Sequence, residues 1–130
     1  MTRARQRLRR TDRGQATVEL ALLLPFVALL LLAFVQAIVV ARDQLLVTHA
    51  AREAARAAAV DADPGAARRA AVAAGPLAGE RLEVDVGERG APGGRVRVEV
   101  RYAEPTHLPL VGRMVGDLTL RSDATMRVER

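Results

Sequence analysis

The sequence predicts an α+β membrane protein. A single N-terminal transmembrane helix continues into a long Ala-rich helix, followed by a short helix and a small three-stranded antiparallel sheet. Three observations carry this reading. Leu20–Ala41 is an uncharged run of 22 residues whose one polar side chain is Gln36. Residues 42–60 are rich in Ala and free of Gly and Pro. Beyond residue 81 the apolar residues alternate with charged ones, so the period changes from that of a helix to that of a strand. The predicted layout is a basic cytoplasmic leader at 1–14, a transmembrane helix at 15–41 and a small extracytoplasmic helix-plus-sheet domain at 42–130.

The leader carries Arg3, Arg5, Arg7, Arg9, Arg10 and Arg13 against one acid, Asp12, for a net charge of +5. The remaining 116 residues are neutral in sum. A nucleic-acid binder places its excess charge on a folded face. Here the excess lies wholly before the apolar run, where it orients a membrane helix with its N-terminus in the cytoplasm. The chain has no Cys, which excludes disulfides and thiolate metal sites. It has no Trp, and both Phe residues (Phe26 and Phe34) lie in the apolar run. A core outside the membrane must therefore be built mainly from Val, Leu and Ala.

At 1.5 Å per residue the run from Leu20 to Ala41 spans about 33 Å, enough for a hydrocarbon core of ~30 Å. Pro25 lies inside it, deprives the carbonyl of Ala21 of its helical donor and predicts a kink. Ala33, Ala37 and Ala41 recur every fourth residue, a stripe of small side chains that lets another helix approach closely. Val35-Gln36-Ala37 also has the form of a signal-peptide cleavage site. The apolar character continues past it through Ala41, which suits an anchor better.

Arg42–Val60 extends the helix, so that one rod is expected from about Thr17 to Val60. Ala50, Ala54, Ala58 and Ala51, Ala55, Ala59 form two small-residue ridges suited to close packing on a sheet or a sister helix. Asp61-Ala62-Asp63-Pro64-Gly65 ends the rod. Asp63 then caps a short helix with Pro64 at its first position, and Gly75-Pro76 stops it. Leu82, Val84 and Val86 alternate with Glu83 and Asp85. Val96, Val98, Val100 and Tyr102 alternate with Arg97, Glu99 and Arg101. The loop Arg89–Gly94 joins the two as an antiparallel hairpin, in which Glu83 and Asp85 can pair with Arg97 and Arg101. Residues 104–117 read as an irregular apolar connection packing on the domain or near lipid. A third strand, 118–129, turns Leu118, Leu120, Ser122, Ala124, Met126 and Val128 to one face.

No catalytic constellation is expected. His49 and His107 are isolated, Ser122 is the sole serine, and Gly90–Gly94 is a hairpin loop rather than a phosphate cradle. No enzyme activity, metal or cofactor is predicted.

The border of the run is more informative. It reads Arg13-Gly14-Gln15-Ala16-Thr17-Val18-Glu19-Leu20. A carboxylate at the edge of a membrane helix is costly unless it is paired or reaches water. Near a helix N-terminus the dipole also favours it. A basic leader, Gly, four residues, Glu and then an apolar helix together resemble the type III signal of type IV prepilins. The stretch RGQATVELALLLPFVALLLLAF, with the Ala-rich QLLVTHAAREAAR after it, resembles the TadE-like family of tight-adherence (Flp) pilus systems over residues 13–60. In Flp-type sequences an aromatic often follows the Glu, where this chain has Leu20. The resemblance implies cleavage between Gly14 and Gln15 by a prepilin peptidase. It also implies that Glu19 meets the N-terminal amine of a neighbouring subunit during assembly. The implied partners are sister subunits, that peptidase and the inner-membrane assembly platform, and the helix-then-sheet order implies a reduced pilin.

Three functions are then open. The chain is a pseudopilin-like subunit, a bitopic anchor presenting a small domain without polymerising, or a secreted domain released after Ala37.

Overall fold

The computed structural model describes residues 3–104 and 118–129, with side chains from Gly14 onward. It contains α1 (Arg3–Val60), α2 (Pro64–Ala73), a 3-10 turn (Gly79–Arg81), and strands β1 (Leu82–Val86), β2 (Arg95–Glu104) and β3 (Leu118–Arg127). The predicted α+β class is therefore observed. The expected packing of the connection at 105–117, including His107, lies outside the described residues.

Two compact units divide the chain, Met1–Val35 and Gln36–Arg130. The helix starts at Arg3, well before the expected Thr17. The leader is made largely of Arg, Ala, Gln and Leu, all good helix formers, and has no Pro. Gly14 opposes the helix most, by about 1 kcal/mol relative to Ala. The helix also runs unbroken through Pro25.

In the second unit the sheet order is β1-β2-β3, with both pairs antiparallel. Its inner face is led by Val96, Val98 and Val100, all at 0% exposure, with Leu82, Tyr102 and Leu120 beside them. The core cluster joins these to Val47 and both predicted alanine ridges of α1. Ala51, Ala54 and Ala55 are fully buried. Side chains this small bring the helix backbone close to the sheet and replace the bulk that aromatics supply elsewhere. Burying each central Val contributes at most about 1.5–3 kcal/mol. Two hydrogen bonds, one from a side chain and one between main chains, tie α1 to β3 and the residues just after it. Gln44 Nε2 donates to the carbonyl of Arg121 at 3.0 Å, and the Glu129 N–H donates to the carbonyl of Ala59 at 3.0 Å.

The turn into α2 forms as its residues dictate. The Asp63 carboxylate accepts from the Gly65 N–H at 3.0 Å and from Arg69 Nη2 at 2.6 Å. The Asp63 N–H in turn donates to Asp61 Oδ1 at 2.9 Å. The hydrogen bond from Arg69, helped by that from Gly65, holds the Asp63 carboxyl below its ordinary value. A depressed carboxyl stabilises the fold above the unfolded-state pKa, and that contribution is lost as pH falls through the folded-state value. Acid titration below about pH 4 should therefore loosen α2 in the native chain. Asp63→Asn keeps a capping side chain without the charge, so α2 amide exchange in that variant should be much less sensitive to pH over the same range. Equal pH sensitivity in both chains would show that the cap charge plays no part.

The strands depart from expectation in two details. Glu83 does stand opposite Arg101, at 3.8 Å, but Asp85 stands opposite Glu99 rather than Arg97. Arg97 reaches the other way, to Asp123 of β3 at 3.1 Å. The antiparallel register sets these partners, and charge pattern alone does not specify it. In β3 and just after it, Leu120 and Val128 are buried and Ser122 and Ala124 half-buried, as expected, yet Leu118 and Met126 are 41% and 37% exposed. An edge strand has a neighbour on one side only, so its ends are thinly covered.

Candidate functional site

The candidate site is the apolar stretch of α1 and its N-terminal border. Within Gly14–Val60 this helix is long and apolar enough to cross a membrane. From Val18 to Val35 every side chain is exposed, including Phe26 at 70% and Phe34 at 67%. An unbroken apolar surface on a helix needs an apolar surrounding. This separates it from the Ala-rich half of the same helix, which buries its small side chains in the core cluster.

Along the border, Gly14 meets nothing. A β-carbon built on it finds no heavy atom within 4 Å. Packing therefore supplies no reason for a glycine at this helical position. At the next residue, Gln15 Nε2 donates to Glu19 Oε1 at 3.3 Å, with both side chains exposed. That bond spans i to i+4 along one helix face and engages one of the two carboxylate oxygens. Ala33, Ala37 and Ala41 are all exposed, so the stripe is not used within the chain. Pro25 lies six residues after Glu19, inside the apolar stretch.

Sequence reasoning missed one charged residue just after the run. Asp43 is buried to 8% exposure, with Arg42 Nη1 3.7 Å from its carboxylate. It falls in the helical row of Val47, Ala50 and Ala54. The signal lay in that spacing, which puts position 43 on the buried face whatever its residue type.

Among the described residues no three His, Cys, Asp or Glu side chains converge as a metal ion would require. The concavity beside the α1–α2 turn has a volume of about 220 Å³ and is lined by Ala58, Ala67, Val86 and the Asp61–Asp63 turn. Its carboxylates are engaged in the capping network described above.

Residues 14–56 match the family of TadE-like protein. The match begins at Gly14, takes in Glu19 and the apolar run, and ends at Arg56 among the buried alanines. It bears out the resemblance read from the sequence and implies involvement in tight-adherence, pilus-related function. The TadE-like segment covers about a third of the chain; α2 and the sheet lie beyond it. No curated protein and no solved structure matches the chain.

Proposed function

We propose that this chain is a non-enzymatic, membrane-anchored pseudopilin-like subunit for assembly of a tight-adherence (Flp-type) pilus or related secretion apparatus. The observation that carries the reading is the join at Gly14 and Glu19. An unpacked glycine stands at the start of the TadE-like segment, and five residues later an exposed carboxylate stands at the foot of an apolar helix.

In this reading α1 spans the bilayer with the Arg-rich leader in the cytoplasm, as the excess of positive charge there directs. A prepilin peptidase cuts between Gly14 and Gln15 and frees an amine at Gln15. The Oε2 of Glu19 then receives the corresponding amine of a neighbouring subunit. In lipid, pairing these charges offsets the cost of holding either alone. Ala33, Ala37 and Ala41 form the strip along which sister helices approach. Pro25 leaves the carbonyl of Ala21 without its helical donor and bends the helix near its start. The assembly platform of the inner membrane would engage the same segment, while the sheet domain projects outside.

Mass spectrometry of the mature N-terminus tests this directly. With peptidase present, the chain should begin at Gln15, and Gly14→Val should keep Met1 and the whole leader. Glu19→Ala should still insert and be cut, yet lose incorporation into the assembly. A chain that keeps Met1 beside active peptidase removes the processing step. Normal assembly by Glu19→Ala would favour the anchor that presents its domain without polymerising.

A further inference from the structure

Two hydrogen bonds lay β3 along α1. Gln44 meets Arg121, and Ala59 meets Glu129. From Arg121 to Glu129 the chain advances about 26 Å at about 3.3 Å per residue. From Gln44 to Ala59 the helix rises about 22 Å. The strand and the helix therefore run side by side in the same direction. Counted back from Arg121, Leu118 lies about 10 Å nearer the start of the domain. That is level with Ala37 and Ile38 of α1.

The apolar run does not end where the domain begins. Its last residues, Gln36 to Ala41, fall within the second unit. Gln36, Val39 and Val40 are half-buried, and Val40 packs against the core cluster. Ala37, Ile38 and Ala41, on the other side of the helix, stay exposed. Counted from Leu20, a hydrocarbon core of ~30 Å takes about 20 residues and ends near Val39. The headgroup layer adds about 5–7 Å, which reaches to about Gln44. One face of α1 is thus covered by its own domain at a depth that lipid would otherwise occupy.

The side chains at this end of the domain suit that depth. Leu118, at the level of the hydrocarbon edge, is 41% exposed. Arg42 and Arg121, at the level of the headgroups, are both exposed. Arg121 stands opposite Arg101 in the sheet, a like-charge pair that favours an anion beside it. The carboxylates here do the reverse. Asp43 and Glu104 are the buried acids among the described residues, and Glu104 stands opposite Leu118. Away from this end, Asp61, Glu83, Asp85 and Asp123 are exposed. Acids withdrawn and arginines turned outward is the arrangement that a layer of lipid phosphates requires.

We propose that this end of the domain is seated in the headgroup layer of the membrane that α1 spans, with Leu118 at the edge of the hydrocarbon and Arg42 and Arg121 on lipid phosphates. The seat holds the sheet against the bilayer, so the domain does not stand free on its helix. It rests on the membrane-spanning reading of α1. It needs neither cleavage after Gly14 nor a partner for Glu19.

The chain has no cysteine, so single thiols can carry a nitrobenzoxadiazole dye without background. The full chain is placed in vesicles of phosphatidylethanolamine and phosphatidylglycerol, some of whose acyl chains bear a quenching nitroxide near the glycerol end. A dye on Leu118→Cys should lose most of its emission. A dye on Met126→Cys should keep it. That residue lies on the same strand and is likewise partly exposed, but about 26 Å farther from the membrane. Adding Arg121→Glu to Leu118→Cys should return most of the lost emission. Within the sheet the new carboxylate would face Arg101, so this release would not come from unfolding. Arg52→Glu is the comparison: it is also exposed, lies about 12 Å beyond Gln44 along α1 and should leave the quenching at Leu118→Cys unchanged. A dye on Phe34→Cys, inside the apolar run, reports the anchor itself. If that dye is quenched while Leu118→Cys is as bright as Met126→Cys, the seat is overturned and the anchor stands. Quenching at Leu118→Cys that ignores Arg121→Glu would also overturn the proposal. If the dye on Phe34→Cys stays bright, the spanning reading fails and the seat falls with it.

Discussion

Replacing Leu29 and Leu30 together by Arg will release the chain from the membrane fraction. Both side chains are exposed in the middle of the apolar stretch, at 50% and 67%. At the centre of a spanning helix, Leu favours insertion by about 0.3–0.6 kcal/mol and Arg opposes it by about 2.5–3.5 kcal/mol. Each exchange therefore shifts insertion by roughly 3–4 kcal/mol, and the pair by roughly 6–8 kcal/mol. That is enough to reverse the preference of a helix whose insertion rests on a few kcal/mol of leucine. Leu45→Arg is the comparison. Leu45 is 72% exposed but lies beyond Arg42, outside the uncharged run, so its replacement should leave membrane retention intact. Carbonate extraction reads both. Retention of the double variant in the pellet would show that another segment holds the chain.

The second large effect is expected inside the domain, at Ala54. This residue is 0% exposed and belongs to the cluster that contains Val96, Val98 and Val100. Leu is at least as good a helix former as most residues, so Ala54→Leu does not weaken α1 as a helix. It forces the helix and the sheet apart or drives side chains from their rotamers, at a cost of about 1–3 kcal/mol. In a domain of this size each kcal/mol lowers Tm by roughly 4–8 °C. Ala57→Leu adds the same volume at a half-buried position of the same helix and should cost distinctly less. If the two variants melted together, close packing through the alanine ridges would not be what holds the helix to the sheet.

The sequence disclosed most of what depends on local order. Leu20–Ala41 could be read as a spanning helix because length, lack of charge and flanking Arg act along the chain, with no distant partner involved. Asp63 and Pro64 announced α2 for the same reason, since a cap bonds residues two positions away. The alternation at 82–86 and 96–102 announced two strands with Val inward, and the structure buries Val96, Val98 and Val100 fully. The match beginning at Gly14 lies where the border of the run drew attention. The start of α1 at Arg3 was less legible, because charge in the leader was read for orientation and not for helix propensity.

Other features depended on residues far apart in the chain. The sequence shows that Asp85 and Arg97 carry opposite charges, and only the register reveals that Asp85 faces Glu99 while Arg97 reaches Asp123. Its parity groups Leu118 and Met126 with the inner face, and only the position of β3 at the sheet edge reveals that both stay partly exposed. Asp43 was not singled out in the sequence, and only the face of α1 that meets the core reveals its burial. By itself, then, the sequence determined the apolar helix, the capped turn, the two-faced strands and the family of residues 14–56. Tertiary structure decided which alanines are buried, which charges meet and which strands lie at the sheet edges. The physical reason is range. Helix propensity, capping and hydropathy act over a few residues, whereas register and burial arise only when segments distant in the chain compete for one surface.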